Sequence, residues 1–132
     1  MTLVLDASVV VAALVDDGPD GEWARAAMDG EVLVAPGHLH VEVSSVLQRA
    51  VLGGRIGREV GALAHEDLVL LRVTTFPFEP LAPRIWALHP SVPAYDAACV
   101  ALAEELSEPL LTLDRRLARA DGPTCRFLTP PA

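Results

Sequence analysis

Leu3-Val4-Leu5-Asp6 and Leu110-Leu111-Thr112-Leu113-Asp114 lie near opposite ends of the chain and share one form, a short apolar run closed by an aspartate. Short continuous apolar runs read as strands buried on both faces. In an open parallel sheet, ligands bind just beyond the carboxyl ends of the strands. A carboxylate at that place has little packing role. Two strands that end alike therefore point to a parallel sheet with an acidic site along one end.

Between these runs, strand and helix signals alternate. Ala7 to Val15 is apolar throughout and ambiguous by periodicity, but Asp6 and Ser8 can cap a helix, so one is expected to start near Ser8. Asp16-Asp17-Gly18-Pro19-Asp20-Gly21 breaks the chain, and a helix comes next over about 20–29. Val32-Leu33-Val34-Ala35 is a second buried strand, ended by Pro36-Gly37. A helix over 38–52 carries the apolar stripe Leu39, Val43, Val46, Leu47 and Ala50, and Gly53-Gly54 ends it. A helix over 57–71 precedes a strand at 72–76, and a short helix around 83–88 leads to the loop 89–93.

In the helix 94–106, Tyr95, Ala98, Cys99, Leu102, Ala103 and Leu106 recur at helical spacing as an apolar face. Asp96 falls in its first turn, where the helix dipole favours a negative charge. A strand at 110–113, a helix near 115–120 and a last strand at 126–128 complete the chain. The pattern predicts a single domain over residues 1–132, a three-layer α/β/α fold with a central parallel sheet.

A chain of 132 residues is long enough for one domain with a real core. Being 52% hydrophobic and only 5% aromatic, it must build that core from Ala, Val and Leu. The formal charge is −8, which argues against a nucleic-acid substrate, since phosphate contacts normally need a basic surface. A cation bound in an acidic pocket would offset part of that charge. All ten basic residues are Arg. Without Lys the chain is neither a P-loop ATPase nor a Schiff-base enzyme. Two cysteines, Cys99 and Cys125, make neither a disulfide framework nor a zinc site. Asp6 interrupts the first apolar run and no basic segment precedes it, so no signal peptide is expected. No run is long enough to span a membrane, and a cytoplasmic location is expected.

Asp6, Glu42, Asp96 and Asp114 are the acids that this fold could gather into one pocket. Crowded carboxylates repel one another unless a cation sits among them. Hard oxygen ligands without Cys or His point to Mg²⁺ or Mn²⁺, which suit phosphoryl chemistry. Each acid also has a plain structural reading: Asp6 and Asp114 as helix caps, Glu42 as a solvated face, Asp96 as a first-turn charge. His38 and His40 are poor zinc ligands, because residues two apart on a helix face different ways.

The segments around these acids resemble a PIN-domain ribonuclease, specifically a VapC-type toxin of a toxin–antitoxin pair. Leu3-Val4-Leu5-Asp6-Ala7-Ser8 matches the family's strand followed by Asp-x-Ser. Ala35-Pro36, then Glu42, then Leu47 to Ala50 matches its Pro, Glu and Leu helix. The most specific match runs from Tyr95-Asp96-Ala97-Ala98 to Leu110-Leu111-Thr112-Leu113-Asp114-Arg115-Arg116-Leu117. Ser45 departs from the Asn that many relatives carry three residues after the Glu, which bears on a supporting hydrogen bond.

The resemblance implies a divalent-metal-dependent endoribonuclease. Asp6, Asp96 and Asp114 would hold Mg²⁺ or Mn²⁺, with Glu42 bound directly or through water, and Ser8 and Thr112 would orient an acid through their hydroxyls. Arg115, Arg116 and Arg119 come after Asp114 and are candidate RNA contacts; the alternative is ordinary salt bridging on a helix surface. The expected partners are RNA, a cognate antitoxin that covers the pocket, and a second copy in a homodimer, with no membrane. Two rival readings stand beside this one: a metal phosphohydrolase for small molecules, which the acidic charge favours, and a non-catalytic binding module of the same fold.

Overall fold

β1 (Thr2–Leu5) has a parallel neighbour on each side in the computed structural model, which describes residues Met1–Ala132. On one side β2 (Val32–Pro36) sets Leu33 opposite Leu3; on the other β4 (Leu110–Leu111) sets Leu111 opposite Leu5. β3 (Thr74–Phe76) and β5 (Phe127–Leu128) form the edges. The order is β3-β2-β1-β4-β5, all parallel. The chain thus starts in the middle, builds outward to β3, then returns across the sheet to lay β4 against β1. That reversal opens a crevice at the carboxyl ends of β1 and β4, where open α/β sheets bind ligands.

Side chains alternate faces along a strand, and here both faces are buried. Leu3, Leu5, Leu33, Ala35 and Leu111 enter one core; Val4, Val34 and Leu110 enter the other. α1 (Ala7–Val15), α2 (Pro19–Met28), α3 (Leu39–Leu52) and α4 (Arg58–Leu70) cover the first face. A 3₁₀ turn (Glu79–Leu81), α5 (Ala82–Ala87), α6 (Ala94–Leu106) and α7 (Arg115–Ala118) cover the second. This is the three-layer α/β/α architecture the alternating pattern predicts. Each fully buried Leu or Val contributes roughly 1.5–3 kcal/mol, which is why β1 is apolar through Leu3–Leu5 and β2 through Leu33–Ala35, where both faces are covered.

Four details differ from the expected elements. The strand expected over 110–113 pairs regularly only at Leu110–Leu111. Beyond it, the N–H groups of Leu113 and Asp114 donate to the hydroxyls of Ser8 and Thr112, so side chains replace the ladder and bend the chain. The helix expected over 115–120 ends at Ala118, and the strand expected from residue 72 starts at Thr74. Finally, Tyr95, which helical spacing places on the apolar face of α6, is 63% exposed. α6 is buried without a break only from Ala97 to Ala103, and its first turn projects past the core.

Gly21 lets α2 approach the end of α1. A Cβ there would stand 1.8 Å from the Asp16 carbonyl oxygen, so no larger residue fits. The close approach fixes Asp16, at the C-terminal end of α1, in place.

Candidate active site

Asp6 leaves the carboxyl end of β1 and caps α1. Its Oδ1 accepts from the Ser8 hydroxyl at 2.6 Å and from the Val9 N–H at 3.2 Å. Its Oδ2 accepts from the Thr112 hydroxyl. Thr112 is wholly buried, and its oxygen accepts in turn from the Asp114 N–H at 3.0 Å. Ser8 accepts from the Leu113 N–H at 3.1 Å. The two hydroxyls therefore stitch the end of β1 to the segment after β4, with Asp6 between them. Burial pushes the Asp6 carboxyl up, while the bonds from Ser8, Thr112 and Val9 pull against that shift.

The other three acids arrive from three further elements. Glu42 sits in the first turn of α3, where its Oε1 lies 3.3 Å from His38 Nε2. Asp96 sits in the first turn of α6, and Asp114 caps α7, accepting from the N–H groups of Arg116 and Leu117 through Oδ1. All four acids line one cleft of about 480 Å³ at the carboxyl ends of β1 and β4. Asp96 registers the crowding. Burial first, then the charges of Asp6, Asp114 and Glu42, push it up to about 6, with His38 opposing.

A larger groove of about 610 Å³ lies between α3 and α4, lined by residues such as Leu47, Val51 and His65. It contains no carboxylate, so the gathered acids lie in the smaller cleft.

The donor set suits a divalent cation. It consists of carboxylates and hydroxyls, hard oxygens of the kind magnesium and manganese prefer, and the charge that lifts Asp96 is charge a cation would neutralise. No group of three or more acid, histidine or cysteine side chains stands close enough together to hold a metal ion by itself. Magnesium keeps several waters and needs only one or two carboxylates, so an open cleft is compatible with it.

The candidate arginines part company. Arg115 donates to the Pro130 carbonyl at 2.6 Å and holds the C-terminal tail. Arg116 lines a small recess together with Asp96 and Asp114. Arg119 is exposed. None of the three forms an ion pair with a carboxylate, so surface salt bridging does not account for them; the ion pairs present are the N-terminus with Glu31 and Arg84 with Glu104.

Two residues near the cleft escape sequence reading. Asp16 lines it, although its place in an acidic loop suggests plain solvent exposure. Ser8, Val11, Ala12 and Val15 line the same wall. Ser8, Ala12 and Asp16 stand at i, i+4 and i+8, so extending that helical spacing by one turn beyond Ala12 finds Asp16. His38, read from sequence only as a poor zinc ligand, lies between Glu42 and the ring of Tyr95.

The PIN domain profile matches residues 3–123. Ribonuclease VapC1 of Mycobacterium tuberculosis is 40% identical over 125 residues, covering 94% of each chain. Among solved structures, VapC20 of Mycobacterium tuberculosis, described as a sarcin–ricin loop cleaving toxin, superposes with a TM-score of 0.67 at 17% identity, over 89% of this chain and 93% of its own. VapBC2 of Rickettsia felis, solved on a DNA fragment from its promoter, superposes with a TM-score of 0.65 at 11% identity, over 99% and 100%.

Proposed function

The chain belongs to the PIN-domain family, beside the VapC ribonucleases, and from that premise we propose that it is an endoribonuclease that hydrolyses RNA phosphodiester bonds as the toxin of a toxin–antitoxin pair. One observation carries the reading: four carboxylates from four separate elements line a single cleft at the sheet's switch point. Such convergence raises Asp96 at a cost to stability and serves no packing purpose.

Asp6, Asp96 and Asp114 would hold Mg²⁺ or Mn²⁺, with Glu42 directly or through water. When bound, the ion acidifies water for attack and offsets charge on the phosphodiester. The chain's own residues do the rest. Ser8 and Thr112 fix the rotamer of Asp6 by bonding both of its oxygens. Asp96, pushed up to about 6, would have to be ionised to hold the cation, so metal affinity would fall as pH drops below that value. Arg116, beside Asp96 and Asp114, is placed to take a phosphate oxygen; Arg115 is engaged with the tail and Arg119 is a weaker candidate.

A small antitoxin protein that covers the cleft, a homodimer and a cytoplasmic location complete the proposal. The Rickettsia felis neighbour, solved as VapBC2, supports a partner of that kind. No helix is long and apolar enough to cross a membrane.

The test is cleavage of total cellular RNA by the purified protein in Mg²⁺, in Mn²⁺ and in EDTA, with Asp96→Asn and Asp6→Ala alongside. Cuts that need metal and vanish in both variants are expected. Cuts that persist in EDTA or in Asp96→Asn overturn the assignment.

A further inference from the structure

We propose that the ring pair of Tyr95 and His38 is a stacking platform for an unpaired RNA base beside the cleft, at its Glu42–Asp96 edge. This rests on the ribonuclease reading and adds a binding contact to it. Tyr95 is the only tyrosine in the chain, and it stands 63% exposed on the first turn of α6. A tyrosine ring carries a large apolar surface that gains from being covered, and here most of it faces solvent.

The ring is held in place. Its centroid lies 5.2 Å from that of His38, tilted by 57°. His38 Nε2 in turn lies 3.3 Å from Glu42 Oε1. The platform thus touches one acid that lines the cleft, while Tyr95 precedes another, Asp96, in the chain. A base attached to a phosphate at these acids would fall on this rim.

Charge explains why a platform is needed. At −8, with five acids around the cleft once Asp16 is included, the chain has little basic surface to hold the RNA backbone. Base stacking does not depend on that charge, and every base offers a π-face. A side chain from a protein partner could cover the same ring, but proximity to the acids favours the base of a substrate.

The test uses a short single-stranded RNA that spans a cut made by the wild-type protein. In Tyr95→Ala, KM should rise about ten-fold with kcat nearly unchanged, and Tyr95→Phe, which keeps the ring, should restore it. Thermal unfolding of both variants should match wild type. Replacing the nucleotides beside the cut one at a time by abasic ones should, at one position, erase the difference between wild type and Tyr95→Ala. An unchanged KM in Tyr95→Ala overturns the proposal and leaves the ring as a protein contact. Equal damage in Tyr95→Phe overturns it as well, because the hydroxyl rather than the ring would then matter. Wild-type protein that cuts no RNA defeats the ribonuclease reading itself, and this proposal with it.

Discussion

Replacing Asp96 by Asn should stabilise the metal-free protein while ending RNA cleavage. Asp96 is pushed from an ordinary 3.8 up to about 6 by burial and by Asp6, Asp114 and Glu42. A rise of roughly two pH units corresponds to about 3 kcal/mol at 1.36 kcal/mol per unit. Asp96 is only half-buried, and solvent screening brings this down to about 1–2 kcal/mol. For a chain of this size that is a Tm increase of about 3–8 °C.

The sign comes from proton linkage. Below about pH 4 the carboxyl is protonated in both folded and unfolded chains, and no penalty exists. Between about 4 and 6 the unfolded chain ionises while the folded one keeps its proton, so wild type loses stability as pH rises. Above about 6 the penalty is complete. Asparagine carries none of it, so the gap between variant and wild type opens from zero near pH 4 to its full value near pH 7. Thermal unfolding in EDTA across this range measures it. Adding Mn²⁺ should then stabilise wild type more than the variant, since a ligand that binds only the folded state raises its stability. An Asp96→Asn protein no more stable than wild type above neutral pH would refute the crowding on which the site rests.

Thr112→Val removes the hydroxyl that serves Asp6 Oδ2 and the Asp114 N–H. It should cost about 1–3 kcal/mol in chemical denaturation, although valine fits the same volume. Gly21→Ala drives a Cβ against the Asp16 carbonyl; it should destabilise by about 1–3 kcal/mol in the same assay, despite alanine's better helix propensity. Arg116→Ala should weaken RNA binding and leave Tm unchanged, because its side chain makes no ion pair. Cys99 is buried and its thiol is pushed well up by desolvation; in the native protein it should resist alkylation, while unfolded protein reacts at both cysteines.

The layers of the fold were readable because strands buried on both faces leave an unmistakable trace. Leu3-Val4-Leu5 and Val32 to Ala35 are apolar at successive positions, and the structure sends alternate residues into two different cores. The element ends were less readable. Thr112 and Leu113 look like strand residues by composition, but their neighbourhood is ruled by hydroxyls and an aspartate that claim backbone donors. Tyr95 failed for another reason. Helical spacing assigns a face to a residue without saying where along the axis the core ends, and α6 begins before its packing does.

The site divides in the same way. Asp6 and Asp114 were legible as strand-end acids, since that position is defined by local sequence. Glu42 and Asp96 were not legible from physics alone, because an acid in a first helical turn has a sufficient local explanation in the dipole; the family resemblance picked them out. Asp16 was missed because its acidic loop hid the helical spacing that joins it to Ser8 and Ala12, and the setting of His38 because its contact with Tyr95 forms only through space.

The sequence by itself determined the alternation of strands and helices, the parallel sheet and the residues that carry charge at strand ends. These depend on periodicity and on neighbours along the chain. Only the tertiary structure decided that acids from β1, α3, α6 and the turn before α7 share one cleft, that Asp6 is gripped by hydroxyls from both sides, and that Asp96 is lifted toward neutral pH. Those properties depend on distances through space between residues far apart along the chain, as when Thr112 reaches Asp6. Such distances are settled by the strand order and the reversal beside β1, which no local pattern encodes.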